Sequence, residues 1–316
     1  MNDDGVPVID LGRGGVHCAV DAACRDWGFF QIANHGIAAR VIEDMTTQMR
    51  AFFAQSPAVK RAIERSEDNS WGYYDRELTK NTPDWKEVFD FGAEPTGSFV
   101  PRWPAELPEF KAALLAYFRA CETVALRLLR VLSANLGMSS HALDRHFVGR
   151  HSSFMRLNHY PACPEPERPI GLTTPTKGHM GVNYHTDPGA VTLLLQDAQR
   201  GLEVFHDGHW FVVEPRPDTL VVNIGDIAQV WSNDRYRAPL HRAFVNPAAD
   251  RYSVAFFLCP NHATTYAPLP STVDAQRPPR YRPINWGEFY ARRTLGDYAD
   301  HGEEIQISQF RIGGAA

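Results

Sequence analysis

Residues 184–197 read YHTDPGAVTLLLQD and place a histidine and an aspartate two positions apart. In a β-strand, residues i and i+2 point to the same side, so His185 and Asp187 are predicted to reach one metal ion. A third ligand, His241, follows much later in PLHRA (239–243) and must come from another strand. Two imidazoles and one carboxylate bind non-haem iron(II) on one face and leave the opposite positions free. The pattern therefore predicts an oxygen-activating metal centre.

A second pair with the same spacing follows in Arg251-Tyr252-Ser253. A guanidinium and a hydroxyl on one strand face form a carboxylate-binding pair, because the planar fork donates two parallel hydrogen bonds and the hydroxyl adds a third. The same face continues through Ala255 to Phe257, whereas the alternate residues are apolar. This alternation places Arg251 either in solvent or inside a polar cavity.

The segment between residues 152 and 259 consists of short apolar runs separated by Gly, Pro, Asn and Asp, which is typical of a β-sandwich or jelly roll. Asp207-Gly208 is a strong two-residue hairpin signal. The predicted strands are 152–160, 181–187, 190–196, 201–206, 209–213, 219–223, 227–231, 241–246 and 252–259.

The N-terminal region is predicted to be mainly helical, and the longest helix should pack against the outside of the sheet. Ser56-Pro57 is a start signal for a short helix, and Gly137 is a stop signal for the longest one. Helical spacing of apolar residues covers 16–27, 38–55, 108–136 and 285–295. We predict one domain over 1–316, with a mainly helical region 1–150, a jelly-roll core 151–262, and a C-terminal helix and tail 263–316.

The composition favours small-molecule partners. A formal charge of −5 and a pI of about 6.2 make nucleic acid and anionic membranes unattractive partners. The five cysteines are scattered, without metal-ligand spacing, as expected for reduced thiols in a cytosol. The chain shows no signal-peptide pattern and no apolar run near the ~20 residues of a membrane span. We therefore expect a cytoplasmic protein and leave its oligomeric state open.

The order HxD, distant His and RxS resembles the iron(II)- and 2-oxoglutarate-dependent dioxygenases, in the branch that includes isopenicillin N synthase and the soluble plant oxygenases. The resemblance extends over nearly the whole chain. Further runs that resemble family signatures are VPVIDL (6–11), WGFFQ (27–31), NHGI (34–37), NHYPACP (158–164), LLLQD (193–197), NIGD (223–226) and SN (232–233).

The resemblance implies a double-stranded β-helix in which iron(II) activates O2. It implies that 2-oxoglutarate chelates the iron, that Arg251 and Ser253 hold its distal carboxylate, and that Asn158 and Tyr160 lie against it. The expected reaction converts 2-oxoglutarate to succinate and CO2 while a small organic substrate is oxidised. Hydroxylation is the default outcome, desaturation or ring closure are alternatives, and a requirement for ascorbate stays open.

The organic substrate is expected near an aromatic-rich segment, residues 69–103, which the resemblance places at the mouth of the barrel. Aromatic walls favour a flat or largely apolar ligand. We predict a small, mainly apolar molecule, with or without one carboxylate or hydroxyl. The candidate substrate-facing residues are Tyr73, Trp85, Phe89 and Phe257.

Two alternatives stay open at this stage. An isopenicillin N synthase-like oxidase would use the same three ligands without 2-oxoglutarate, and its arginine and serine would bind the organic substrate. A non-catalytic jelly-roll protein with structural zinc(II) would have no need for open metal positions.

Overall fold

The computed structural model describes residues 5–97, 99–149, 151–299, 302 and 304–313. The helices are α1 (Val16–Asp26), α2 (Ala39–Phe53), α3 (Pro57–Arg61), α4 (Phe110–Asn135), α5 (Asp226–Trp231) and α6 (Trp286–Leu295). The strands are β1 (Val8–Asp10), β2 (Phe29–Ala33), β3 (Gly72–Tyr74), β4 (Leu78–Thr79), β5 (Thr82–Pro83), β6 (Glu87–Phe91), β7 (Phe154–Tyr160), β8 (Val182–His185), β9 (Val191–Gln196), β10 (Leu202–His206), β11 (His209–Val212), β12 (Thr219–Ile224), β13 (His241–Ala243), β14 (Arg251–Leu258), β15 (Thr265–Tyr266) and β16 (Ile284–Asn285).

Two sheets form the centre of the molecule. The large sheet has eight strands in the order β1-β2-β12-β9-β14-β7-β6-β3, and the small sheet has four in the order β11-β10-β13-β8. The inner residues of both sheets line a common cavity. The predicted fold class, a mainly β jelly-roll core with flanking helices, is confirmed.

The long helix α4 packs on the outer face of the large sheet, as predicted. The alternation of β14 explains this arrangement, because Val254 and Phe256 are buried in the main core on the helix side. The Phe256 ring contacts Phe118 of α4 edge-on, with centroids 5.0 Å apart. The other face of β14, from Arg251 to Phe257, lines the cavity.

The region 1–150 contributes more strands than the sequence pattern predicts. Strands β1, β2, β3 and β6 lie before residue 150 and belong to the same eight-stranded sheet as β7, β9, β12 and β14. The pattern hides β6, since all five of its residues are buried and each face combines one carboxylate with apolar residues.

Local signals predict the turns well. Asp207 and Gly208 both adopt positive φ in the hairpin between β10 and β11, where His206 pairs with His209. Gly137 has φ of +81° after α4, and the Ser56 hydroxyl accepts the amide of Val59 at the start of α3. Each position has the residue type that its backbone conformation favours.

The prediction of a strand over 227–231 is wrong, because residues 226–231 form helix α5. Ile227, Val230 and Trp231 lie at helical spacing and are buried. The predicted strand 181–187 also ends early, at His185, so Asp187 lies in the turn that follows β8. In the described part of the chain, no helix is long and apolar enough to cross a membrane.

Candidate active site

Three side chains converge between the two sheets. His185, at the end of β8, pairs directly with His241, at the start of β13, and Asp187 follows in the next turn. The Asp187 Oδ1 atom lies 3.7 Å from Nε2 of His185 and 3.5 Å from Nε2 of His241. Among the described residues, this is the one group of three or more His, Cys, Asp or Glu side chains that could hold a metal ion.

Outer hydrogen bonds orient all three ligand atoms. Nδ1 of His185 lies 2.8 Å from the Asn183 carbonyl oxygen, and Nδ1 of His241 lies 3.1 Å from that of Pro239. A carbonyl can only accept, so each Nδ1 carries the proton and each Nε2 keeps its lone pair. The other oxygen of the Asp187 carboxylate accepts the hydroxyl of Thr192 at 2.5 Å and the amide of Asn223 at 2.7 Å. Oδ1 therefore stays available.

The site holds two of its groups in the protonation state that a metal needs. Burial and the neighbouring His241 lower the pKa of His185 to about 3, so this imidazole is neutral near pH 7. Burial acts to raise the pKa of Asp187, but His241, His185 and Asn223 outweigh it and hold the pKa below its ordinary value. Burial acts to lower the pKa of His241, but the Asp187 carboxylate raises it above its ordinary value, so a metal would compete with a proton for Nε2 of this imidazole. Two imidazoles and one carboxylate on one side of a cavity are the ligand types that fit iron(II) with open positions.

A second group lies deeper in the same cavity, on β14 and β7. Arg251 is the cross-strand partner of Tyr160, and Ser253 is the partner of Asn158, whose amide donates to the Ser253 hydroxyl at 3.3 Å. The Arg251 guanidinium lies 5.0 Å from the centre of the Tyr160 ring. All four residues line the cavity that also contains the three ligands.

The Arg251 side chain is 1% exposed, yet its Nε and Nη1 atoms have no hydrogen-bond partner in the described part of the chain. Its Nη2 atom makes one long contact of 3.4 Å to the side chain of Gln196. A buried guanidinium with unused donors costs free energy unless a ligand supplies acceptors. The carboxylate of a small ligand fits this requirement, because it can accept two parallel bonds.

A second cavity adjoins the triad at His185 and Asp187, and we call it the acceptor cavity. Aromatic side chains form part of its wall: Trp71, Phe154, Phe257 and Tyr290. The two cavities measure about 90 and 110 Å³, and one water needs ~10–15 Å³, so each has room for several small groups. Both are lined by His185, Asp187 and Phe257.

The structure brings only one of the four predicted substrate residues into the cavities. Phe257 lines both, whereas Tyr73 and Phe89 pair with each other on the helix side of β3 and β6. The Phe89 ring packs 5.0 Å from Phe52, and the Tyr73 hydroxyl donates to Glu87 at 2.6 Å. The substrate role predicted for Tyr73 and Phe89 does not fit this placement, because both side chains belong to the core.

Trp85 also lies away from both cavities. Its ring packs 4.7 Å from His179, and its indole nitrogen donates to the carbonyl oxygen of Pro161 at 3.0 Å. His179, six residues before His185 in the sequence, therefore lies in this outer contact. Neither residue is among those that line the two cavities.

The charged lining of the acceptor cavity is missing from the sequence-based prediction. Arg156 shares the inner face of β7 with Asn158 and Tyr160, so the two-residue period could have pointed to it. Its partner Asp90 lies opposite on β6, and no local signal links the two positions.

Comparisons with known proteins agree with this geometry. Residues 151–260 match the family described as 2OG-Fe(II) oxygenase superfamily, and residues 6–109 match the family described as non-haem dioxygenase in morphine synthesis N-terminal. Flavanone 3-dioxygenase 2 of Oryza sativa subsp. japonica is 37% identical over 302 residues, covering 92% of this chain and 84% of the relative.

Solved structures show the same fold. A structure of JOX2 in complex with 2OG, Fe and JA superposes with a TM-score of 0.83 at 29% identity, covering 98% of this chain and 89% of that one. A full-length Neurospora crassa protein in complex with alpha-KG and thymine gives a TM-score of 0.80 at 27% identity, covering 93% of this chain and 98% of that one.

The fold and the site thus define a non-haem iron oxygenase with a jelly-roll core. The chain belongs to the 2OG-Fe(II) oxygenase superfamily. It is an iron(II)- and 2-oxoglutarate-dependent dioxygenase that acts on a small molecule.

Proposed function

We propose that His185, Asp187 and His241 bind the iron, and that Arg251 and Ser253 bind the distal carboxylate of 2-oxoglutarate. Asn158 and Tyr160 are assigned to the wall against which the cosubstrate lies. The observation that carries this assignment is the buried Arg251 guanidinium, whose Nε and Nη1 lack partners among the described residues in a cavity that it shares with the triad. A fork of this geometry fits a carboxylate and fixes its orientation.

Bound iron supplies the chemistry that couples decarboxylation of 2-oxoglutarate to oxidation of the organic substrate. The protein's own contribution is positioning and exclusion of water. Arg251 anchors one end of the cosubstrate. Apolar residues on three strands, Val182, Leu194 and Leu202, line the same cavity. Such a site holds the reactants in place and limits side reactions. Hydroxylation is the expected outcome.

The two alternatives make different demands on the same residues. In an oxidase that does not use 2-oxoglutarate, Arg251 would bind the organic substrate. In a zinc-binding structural protein, the unused donors of Arg251 and the second cavity beside the triad would have no role. The likeness to structures solved with 2OG or alpha-KG supports the oxygenase assignment.

The test is anaerobic reconstitution with iron(II), followed by titration with 2-oxoglutarate. Chelation of iron by the cosubstrate should give a weak visible charge-transfer band. Arg251→Lys should keep the band but require more 2-oxoglutarate, because lysine keeps the charge and loses the fork. A wild-type protein that binds iron and gives no band would contradict the assignment.

The organic substrate is proposed to have an apolar part that contacts the aromatic wall of the acceptor cavity. Phe154 and Phe257 stack with centroids 4.6 Å apart and an angle of 17° between their rings, so together they form a rigid apolar part of the wall. The ligands named for the similar structures, JA and thymine, are small molecules, which supports this size class.

We also infer that the chain is one domain located in the cytoplasm. Strands from both sides of residue 150 share one sheet, which supports a single unit. Free thiols at all five cysteines, four of them buried, support a reducing compartment. Small molecules are the proposed partners, and neither nucleic acid nor a membrane is expected.

A further inference from the structure

The wall of the acceptor cavity carries many charges. Apart from the triad, the described residues that line it include four cations and four carboxylates. The cations are Arg65, Lys86, Arg156 and Arg293, and the carboxylates are Glu77, Asp90, Asp297 and Glu304. By formal charge the two sets are therefore equal in number and opposite in sign. Burial and the neighbouring Glu77 raise the pKa of Asp297 to about 7, so this balance is complete above that pH.

One arginine that the two cavities share is held by carboxylates of the protein. Arg156 lines both cavities and makes two hydrogen bonds of 2.8 Å to the two oxygens of Asp90. A third bond, of 3.0 Å, runs from Arg156 to Glu77. The donors of Arg156 are thus already used by two carboxylates of the protein, in the geometry that would otherwise bind a substrate carboxylate.

The other cations are paired as well. Arg65 donates to Asp90 at 2.7 Å and to Glu77 at 2.6 Å, and Lys86 lies 2.6 Å from Glu77. Arg293 lies 2.9 Å from Glu304. The charged residues beside this lining are two carboxylates, Asp84 and Asp226, and one cation, Lys80. They therefore add no surplus of positive charge.

The charges also cancel in the cavity that contains Arg251, an argument that rests on the proposed function. Iron(II) with Asp187 carries one positive charge, and the dianion 2-oxoglutarate with Arg251 carries one negative charge. An anionic substrate would therefore add an uncompensated charge to a largely buried site, and burial of an unpaired charge is costly.

We propose that the organic substrate is an uncharged ring compound that carries a carbonyl or hydroxyl oxygen, and that the paired charges of the acceptor cavity select against organic acids. This deepens the proposed function by naming the class of substrate. It removes the carboxylate that sequence analysis allowed on the substrate.

Two buried donors support an oxygen on the ligand. Nε of Arg65 and Nε1 of Trp71 are buried without a hydrogen-bond partner in the described part of the chain, and both residues line the acceptor cavity. Both groups can only donate, so a ligand must offer them an acceptor. Because Arg65 already contacts two carboxylates, a neutral oxygen suits this position better than a third anion.

The test compares ligands that share one ring and differ in the charge of its substituent. Each set contains an acid, its primary amide and the corresponding amine, for example nicotinate, nicotinamide and 3-picolylamine, or benzoate, benzamide and benzylamine. The panel also contains uncharged cyclic amides and phenols. Succinate formation above the substrate-free rate and a shift of the charge-transfer band are measured for each compound with the iron-loaded enzyme.

Among compounds that bind, the amide should bind at least about tenfold more tightly than its acid or amine, a difference of the size that one unpaired charge readily produces. A preference for the acids or the amines overturns the proposal, and so does a panel in which no uncharged compound binds. The band with 2-oxoglutarate alone is recorded first. If this band is absent, the result counts against the proposed function. If the band is normal but the acids bind more tightly than the amides, the result counts against this inference only.

A charge variant provides a second test. Asp90→Asn keeps the shape but leaves Arg156 with a surplus positive charge, so the ratio of acid to amide affinity should rise by at least about tenfold. Combining Asp90→Asn with Arg156→Gln removes both charges and should restore the preference for the amide. An unchanged ratio in a folded, band-forming Asp90→Asn protein would count against the proposal.

Discussion

His185 and His241 are direct partners across the β8 and β13 pair, with ring centroids 4.3 Å apart. This register, together with the turn that carries Asp187, brings three ligand atoms within 4.8 Å of one another. The candidate metal centre therefore depends on strand pairing in the small sheet, where β8 has four residues and β13 has three.

Replacing one of these ligands should remove the metal but leave the fold. For His241→Ala we expect iron affinity to fall by well over ~100-fold, because even outer partners of metal ligands are worth about 10- to 100-fold. Turnover should disappear with it. Metal analysis after gel filtration, with circular dichroism as the folding check, measures both. The matched control is His209→Ala, an exposed histidine on β11. An active His241→Ala enzyme would rule out the assignment.

The hydroxyl of Thr192 should matter although it does not touch the metal. Thr192→Val keeps the shape and removes the donor that lies 2.5 Å from the Asp187 carboxylate. We expect iron affinity to fall by about 10- to 100-fold, with turnover recovering at saturating iron. An iron titration of initial rates checks this. Unchanged affinity would show that the amide of Asn223 alone orients Asp187.

Gly201 should be as important for the cosubstrate as Arg251 itself. A Cβ atom at position 201 would lie 2.5 Å from Cδ and 2.6 Å from Nε of Arg251. Gly201→Ala should therefore displace the guanidinium and raise the KM for 2-oxoglutarate by about tenfold or more, as expected for loss of a buried charge-assisted bond. Steady-state rates over 2-oxoglutarate concentration provide the measurement. Gly14→Ala is the control, because nothing lies within 4 Å of its added Cβ.

The charge cluster should also affect stability in acid. Burial acts to raise the pKa of Glu77, but Arg156, Lys86 and Arg65 outweigh it, so the pKa lies well below the ordinary value of 4.5. The folded-state pKa is lowered, so the stability that Glu77 contributes is complete above pH 4.5 and is lost as the pH falls below that value.

Glu77→Gln should lower the free energy of unfolding by about 3–5 kcal/mol at pH 7, because it removes a buried carboxylate that Arg65, Lys86 and Arg156 share. The difference from wild type should shrink as the pH falls below 4.5. Urea unfolding at pH 7 and at acid pH measures this difference. A gap that is independent of pH would mean that Glu77 stabilises by packing alone.

Phe89 and Phe257, which sequence analysis both listed as candidate substrate-facing residues, should differ in the effect of their replacement. Phe89 is fully buried among Phe52, Phe91 and Phe110, so Phe89→Ala should destabilise the protein by about 3–5 kcal/mol. Phe257→Ala should cost less stability and instead weaken substrate binding. Thermal unfolding and substrate titration of both variants check the prediction. A selective loss of substrate binding in Phe89→Ala would contradict the core placement.

The sequence by itself pointed to the group of His185, Asp187 and His241, to the Arg251 and Ser253 pair, and to most of the helices and most of the strands after residue 150. These features are local or periodic: His185 and Asp187 are two residues apart, Arg251 to Phe257 alternate along one strand, and α4 shows a long apolar stripe. Spacing along the chain carries such information where a strand or a helix converts it directly into a face. Asp187 lies beyond the end of β8, so its place beside His185 depends on the turn that follows the strand.

Only the tertiary structure decided what lines the acceptor cavity. Strand β6 is buried on both sides, so its alternation is invisible, and Phe89 and Asp90 could not be assigned to opposite faces without their neighbours. The pairing of Asp90 with Arg156 depends on the register between β6 and β7, which lie far apart in sequence. A shift of one residue would exchange the two faces, and that choice is made by the packing of the whole sheet.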